Sequence, residues 1–294
     1  MTMLPVVRLR HAGFHGEAAA GIDVTRLFSV LGDRPLRGLA SAPGAELVKT
    51  KLDKGSRVYR LVFDLGRGEE ELFIKTFSSA ATFRVLHERM KKSDKARDKP
   101  HHYPVKLAKL LYQPSLARRS FHAAAACAHA GVPVAEHLLW LSRRRGVFRE
   151  EILITAGVTP RSANNAKNYF LLNFPLPCPT ERLKEKRALL TELGALLRAV
   201  QDSGLTFPDF KLHNLVLEEG ERPVFRVIDL TEVIARRQSE LSFLRHFLPS
   251  ITRPPALTAL DRLRLLKSYL DEEGERRRPE ELCRAIFRGH PVAG

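Results

Sequence analysis

Hydrophobic and polar positions divide this chain into a strand-like part followed by a helical part. Residues 58–63, Val-Tyr-Arg-Leu-Val-Phe, alternate and are rich in β-forming types. After Asp64-Leu-Gly-Arg-Gly-Glu-Glu-Glu comes a second such run, Leu72-Phe-Ile-Lys-Thr-Phe77. The two predict strands joined by a glycine-containing turn. Leu138–Leu141 and Glu151–Thr155 predict a further strand pair. Residues 115–130 predict a helix that ends at Gly131, beyond which Pro133 prevents continuation. Pro179-Thr-Glu opens a second helix, with Leu183, Leu190, Leu193, Leu197 and Val200 on one stripe. Ser239–Leu248 and Ala256–Leu270 predict two more amphipathic helices. Residues 1–45, rich in Ala and Gly with one helical candidate at Val24–Leu31, predict an N-terminal extension. The order of strands then helices predicts an α+β fold in two lobes. One lobe covers 46–158 and contains a basic insertion at 78–113, and a helical lobe covers 159–294.

The stretch Phe207-Pro-Asp-Phe-Lys-Leu-His-Asn214 carries the most chemistry. Asp209 and Asn214 stand five apart with Lys211 between them, which is the spacing of protein-kinase catalytic loops. There the Asp serves the attacking hydroxyl and the Asn serves Mg²⁺. Beyond Asn214 the chain reads Leu-Val-Leu, Glu-Glu-Gly-Glu-Arg-Pro, then Val-Phe-Arg-Val-Ile-Asp229. Two apolar runs around a Gly- and Pro-containing turn predict a β-hairpin, which would fold Asp229 back beside Asn214. An Asn and a carboxylate suffice for Mg²⁺, which usually takes one or two protein carboxylates together with substrate phosphates. Taken alone, an Asp and an Asn in a loop are ordinary turn formers, so the case needs support from upstream.

That support is Lys75, set between Ile74 and Phe77 in a predicted strand, where a strand lysine would grip the phosphates of ATP. The alternative is an outward-facing lysine on an edge strand. Just before these strands, Lys51-Leu-Asp-Lys-Gly-Ser-Arg57 is a candidate phosphate-covering loop in which Gly55 and Ser56 would approach the nucleotide. Its single glycine makes it a poor glycine-rich loop.

Over roughly residues 45–275 the chain resembles the lipopolysaccharide core kinases, the heptose and Kdo kinases with a eukaryotic-protein-kinase-like fold. Leu72-Phe-Ile-Lys-Thr-Phe77 looks like their strand-lysine motif. Ser115–Ala124, leading to Ala130-Gly-Val-Pro-Val-Ala135, is similar to their helix and the turn after it. Leu193–Gly204 looks like the helix that feeds the catalytic loop, Val227-Ile-Asp-Leu230 resembles their replacement for Asp-Phe-Gly, and Leu263–Leu270 resembles their C-terminal helix. The resemblance implies a two-lobed protein-kinase-like fold and an ATP- and Mg²⁺-dependent kinase whose acceptor is a sugar hydroxyl of the lipopolysaccharide core. It implies Asp209 and Lys211 in catalysis, Lys75, Gly55 and Ser56 at the nucleotide, and Asn214 and Asp229 as Mg²⁺ ligands. It also puts the backbone of Ile154–Gly157 at the adenine.

There are departures. Phe207 stands where protein kinases have a His, and Ser120 stands where a glutamate partner for Lys75 would be sought. Glu88, Glu136, Glu150 and Glu151 are candidates for that partner without positional support. A pseudokinase scaffold and a protein Ser/Thr kinase therefore stay open as alternatives. The latter is disfavoured because no Asp-Phe-Gly or Ala-Pro-Glu is present. A soluble small-molecule kinase is a third.

The net charge is +16, from 49 Lys and Arg against 33 Asp and Glu in 294 residues. Half of it lies between Ala80 and Arg119, where eleven cations face three acids. Such a segment suits an anionic glycolipid acceptor and peripheral contact with an anionic membrane surface. Nucleic acid is disfavoured, since no nucleic-acid motif accompanies the charge. Three widely spaced cysteines form no metal or disulfide signature and fit a reducing compartment. No eighteen-residue apolar stretch is present, which predicts neither a secretion signal nor a spanning helix. With the cysteine pattern and the basic charge, the expectation is a protein of the cytoplasm that meets the inner face of the cytoplasmic membrane.

Overall fold

The computed structural model describes residues 5–32, 35–51, 55–92, 112, 114–161, 165–220, 222–237, 239, 242–244, 247 and 257–270. The central part of the basic segment, 93–111, lies outside these, as do residues 52–54 and half of the helix expected at 239–248. The chain divides into two units, Met1–Ala125 with Glu136–Gly157, and Ala126–Ala135 with Val158–Gly294.

The first unit is built on a seven-stranded antiparallel sheet in the order β1-β2-β6-β7-β5-β4-β3. The strands are β1 (Val6–His11), β2 (Phe14–Ala19), β3 (Glu46–Lys51), β4 (Ser56–Asp64), β5 (Glu69–Ser78), β6 (His137–Arg145) and β7 (Phe148–Ala156). Successive strand side chains point to opposite faces, so the sheet has two different sides. Leu72 and Ile74 of β5 join Leu139, Leu141, Ile152 and Ile154 in one core. The same core takes in Leu27 and Leu31 of helix α1 (Val24–Leu31) and Leu39 of α2 (Pro35–Ser41). On the other side Phe77, Trp140 and Leu153 pack with Ala117 and Phe121 of helix α4 (Leu116–His129). Helix α3 (Ser79–Lys92) continues directly from β5.

The described residues of the expected N-terminal extension, 5–32 and 35–45, are instead part of this unit. β1 and β2 pair with each other, and β2 pairs with β6 through His15–Ser142 and Glu17–Trp140. The Ala/Gly composition concealed a strand in which Phe14, Gly16 and Ala18 are buried on alternate positions. Gly16 is required there, because a Cβ would sit 1.9 Å from the Trp140 carbonyl oxygen.

Among its described residues the second unit combines helices with a two-stranded hairpin of β8 (Leu215–Glu218) and β9 (Val224–Val227). Helices with described bounds in it are α5 (Ala166–Asn173), α6 (Leu183–Asp202) and α7 (Ala259–Leu270), and residues 242–244 and 247 are helical as well. Helix α6 buries Leu189, Leu190, Leu193, Leu196, Leu197 and Val200, a wider stripe than the sequence pattern alone suggested. Leu265, Leu266 and Tyr269 of α7 are buried as well. The two helices cross closely at Gly194, where a Cβ would meet Ser268 Cβ at 2.7 Å and the Leu265 carbonyl at 3.0 Å. Beside the crossing Lys186 and Asp261 form an ion pair at 2.7 Å, with side chains 2% and 5% exposed.

Candidate active site

Helix α6 ends at Asp202, and the loop that follows is held at its start by paired backbone hydrogen bonds. Thr206 N–H donates to the Ile234 carbonyl at 3.0 Å, and Ile234 N–H returns the bond at 3.1 Å. Phe207 then turns inward, 3% exposed, and meets Phe210 edge-on at 5.7 Å. Phe210 in turn packs on Phe247 at 5.0 Å and Phe243 at 6.0 Å. A phenylalanine at position 207 thus organises the loop through aromatic packing, which a histidine would do through hydrogen bonds.

Between these anchors Asp209, Lys211 and Asn214 come together. The Lys211 ammonium donates to Asp209 Oδ1. The Asn214 amide donates to the Asp209 carbonyl at 2.8 Å and to Asp209 Oδ2 at 3.0 Å. Burial alone would raise the pKa of the Asp209 carboxyl, but the hydrogen bonds from Lys211 and Asn214 outweigh it and hold the group below its ordinary value. The negative charge of Asp229 pushes in the opposite direction.

Asp229 arrives by the hairpin. Leu215 pairs with Val227, and Ile228 N–H donates to the Asn214 carbonyl at 3.0 Å, so the chain passes Asn214 on its way to Asp229. Residues 133–135 brace β9: Val227 N–H donates to Pro133 O, and Ala135 N–H to Val227 O, both at 3.0 Å. Thr231, which the sequence reading did not single out, donates its hydroxyl to Asp229 Oδ1 at 2.7 Å and so orients the carboxylate. A carboxylate followed two residues later by Thr is the signal for that turn. A small concavity at this place is lined by Phe207, Asp209, Val227, Asp229, Glu232 and Val233. Glu232 is a third carboxylate there, also absent from the sequence-derived site.

The donor set suits a hard cation. Two carboxylates close enough to feel each other, with an Asn amide beside them, are the oxygen-rich surroundings Mg²⁺ takes. With its NH₂ turned to Asp209, Asn214 presents its carbonyl oxygen as the remaining polar atom. Among the described residues no group of three or more His, Cys, Asp or Glu forms a denser metal cage.

In the first unit Lys75 pairs across the sheet with Val58 of β4 and Leu153 of β7. β5 lies inside the sheet, which removes the edge-strand explanation for this lysine. Its side chain shares the face of Phe77, Leu153 and Trp140, with Nζ 5.2 Å from the centre of the Phe77 ring. Three of the glutamates considered as its partner have other roles. Glu136 binds Arg67 at 2.8 Å and Glu150 binds Arg143 at 2.7 Å. Glu151 accepts the N–H groups of Leu116 and Ala117, capping α4, and its burial pushes its pKa up. Glu88 is half-exposed beside His87. Ser120, at the position where an acid would be sought, makes a buried hydrogen bond with His137 at 3.0 Å.

Gly55 and Ser56 are packed into this unit. A Cβ on Gly55 would lie 2.3 Å from the Ser78 carbonyl and 2.5 Å from Thr82 Oγ1. Ser56 is 3% exposed. The glycine is therefore needed for close approach to the start of α3, and its neighbours at 52–54 lie outside the described residues. At the end of β7, Gly157 N–H donates to the Glu71 carbonyl and Ala156 N–H to the Glu136 carbonyl.

No protein-family model matches the chain, and no curated protein matches it. Among solved structures it is similar to WaaP in complex with acyl carrier protein. The similarity covers 90% of each chain at 18% sequence identity, with a TM-score of 0.55. The likeness establishes the fold: mixed α+β, as the order of strands and helices predicted, and protein-kinase-like, as the resemblance implied.

Proposed function

We propose that this chain is an ATP- and Mg²⁺-dependent kinase that transfers the γ-phosphate to a sugar hydroxyl of a lipopolysaccharide-core glycolipid. The observation that carries the reading is the hydrogen-bonded cluster of Asp209, Lys211 and Asn214, with Asp229 delivered beside it by the β8–β9 hairpin.

Phosphoryl transfer asks a protein mainly for positioning and charge stabilisation. Asp209, ionised at neutral pH, accepts or orients the proton of the acceptor hydroxyl as its oxygen bonds to the γ-phosphorus and the bond to the β-phosphate oxygen breaks. Lys211, held beside Asp209, offers its ammonium to the oxygens of the moving phosphoryl group. Asn214 and Asp229 are the residues to hold Mg²⁺, which when bound would neutralise charge on the ATP phosphates. Lys75 on β5 supplies a cation for the phosphates that stay behind. Gly55 and Ser56 are assigned to the nucleotide only through their backbone, because both are packed against the start of α3.

The acceptor class rests on the motifs shared with the lipopolysaccharide core kinases and on the net charge of +16, which suits a phosphorylated, carboxylated glycolipid. On this reading such an acceptor would be met at the cytoplasmic face of the membrane by surface contact; no described helix is long and apolar enough to cross a membrane. Two other readings make different predictions: a protein Ser/Thr kinase would label protein and leave glycolipid unlabelled, and a pseudokinase scaffold would label neither. The test is incubation with labelled Mg-ATP and purified lipid A carrying inner-core sugars, followed by separation of lipid from protein. Label in the glycolipid supports the reading; label in protein alone, or none anywhere, refutes it.

A further inference from the structure

Helix α5 shows its apolar side chains to solvent at one end. Leu171 is 37% exposed, Leu172 71% and, just after the helix, Leu176 48%. The other exposed large apolar residues described in this unit, Ile228, Ile234 and Leu260, are single positions, whereas Leu171 and Leu172 are adjacent near the end of α5 and Leu176 follows within five residues, a stretch we call the knuckle. Exposed apolar groups gathered in one place mark an interaction site, while scattered ones are normal.

The knuckle is held rigidly from beneath. Tyr169 and Phe170 of α5 and the following Phe174 are buried, with ring centres 5.6–6.1 Å apart. Phe170 also stacks on Phe225 of β9. Folding thus uses the opposite side of α5 and leaves the leucines unused.

Cations stand on α5 and next to it. Lys167 is exposed and lies one helical turn before Leu171, on the same face. Tyr169 donates its hydroxyl to Glu185 at 2.7 Å, and Glu185 also binds Arg182 at 2.8 Å and Arg161 at 3.8 Å. Both guanidiniums are therefore fixed beside α5, with two-fifths to half of each side chain exposed.

We propose that this knuckle is a membrane anchor: Leu171, Leu172 and Leu176 enter the headgroup–acyl boundary of an anionic bilayer, and Lys167, Arg161 and Arg182 meet its phosphates. An interfacial anchor combines apolar tips with a basic rim in this way, and each cation near an anionic surface adds to binding. Charge decides against a second copy of the chain as occupant, because two like-charged rims would face each other. The inference rests on the kinase reading only in supposing a lipid-borne acceptor, and vesicle binding measures it without ATP.

The full chain is sedimented with phosphatidylcholine vesicles, alone or mixed with phosphatidylglycerol, beside the Leu172→Glu/Leu176→Glu variant and the milder Leu172→Ser/Leu176→Ser variant. Unchanged melting temperature and Mg-ATP binding identify folded variants. Expected are preference for the anionic vesicles, weakening with salt, and at least about tenfold weaker binding by both variants, the scale of losing apolar burial from two leucines. Equal binding by wild type and folded variants overturns the proposal, as does the absence of a preference for anionic lipid. A dimer that the variants abolish while vesicle binding persists also overturns it, and assigns the knuckle to self-association.

Discussion

The side-chain amide of Asn214 donates to both the backbone carbonyl and the carboxylate of Asp209, at 2.8 and 3.0 Å. The last residue of the 3₁₀ turn Leu212–Asn214 is thereby tied to the acid that opens the loop. Asn214 is 8% exposed while the Asp209 side chain is 43% exposed, so a buried amide holds one orientation of a carboxylate that solvent and substrate can reach. On the proposed function Asn214→Ala loses both a metal oxygen and this tether. Expected is an Mg²⁺ requirement raised at least about tenfold, the scale of ~1.4 kcal/mol of binding, together with lower turnover. Turnover measured against Mg²⁺ concentration checks it, and an unchanged Mg²⁺ dependence counts against Asn214 as a ligand.

Lys211 holds the Asp209 carboxyl below its ordinary pKa against the effect of burial. With a lowered pKa, Asp209 stays ionised at neutral pH and loses activity only on acidification below about pH 4, the usual carboxylate range. Lys211→Met removes the main lowering influence, so the acid limb of the kcat/KM profile is expected to move upward. A pH–rate profile of both proteins reads the shift. An acid limb in the same place in both would detach Lys211 from Asp209.

Lys75 sits inside the sheet, on the face of Phe77 and Leu153. Lys75→Met keeps most of the side-chain volume and removes the charge. Expected is a fall in turnover of about 10²–10³, the scale of losing one preorganised stabilising donor, with a melting temperature close to wild type. Steady-state kinetics beside a thermal melt separate the two effects; loss of activity through unfolding would make Lys75 structural.

The Lys186–Asp261 pair is buried between α6 and α7, where Asp261 also accepts Thr258 N–H and hydroxyl, both at 2.9 Å. Burial would raise the Asp261 carboxyl, but Lys186 and Thr258 hold it below its ordinary value. A depressed carboxylate adds stability that is present above its unfolded pKa and is lost as pH falls through the folded one. The second unit is therefore expected to lose stability below about pH 4. Lys186→Ala should cost about 3–5 kcal/mol by stranding a buried charge, while Lys186→Met with Asp261→Leu should cost far less. Denaturant unfolding of the three proteins checks this; equal costs for the single and double variants would show that the pair carries no buried-charge penalty.

Much of this was legible because it is local. The β8–β9 hairpin was marked by two apolar runs around a Gly- and Pro-bearing turn, and α1 was readable as a helical candidate over Val24–Leu31. The five-residue spacing of Asp209 and Asn214 was readable because one short turn closes it. What stayed hidden depends on distant partners. β2 reads as Phe-His-Gly-Glu-Ala-Ala, and only the approach of the Trp140 carbonyl explains its glycine. Glu151 looked like a possible partner for a lysine, and its use as the cap of α4 requires a strand and a helix 34 residues apart to meet. Phe207 looked like a lost histidine until Phe243 and Phe247 were in place around Phe210. The apolar tip of α5 showed no distinctive pattern in sequence, because exposure is settled by which side of the helix the aromatic base takes.

The measurement that tests the central claim most directly is phosphate transfer from labelled Mg-ATP to lipid A with inner-core sugars by wild type and Asp209→Asn at matched folded concentration. Asn keeps the shape of Asp209 but cannot take a proton. Label in the glycolipid with wild type, reduced by about 10²–10⁴ in the variant, is the predicted result. Transfer undiminished in folded Asp209→Asn, or no transfer by wild type under any Mg²⁺ condition, would contradict it.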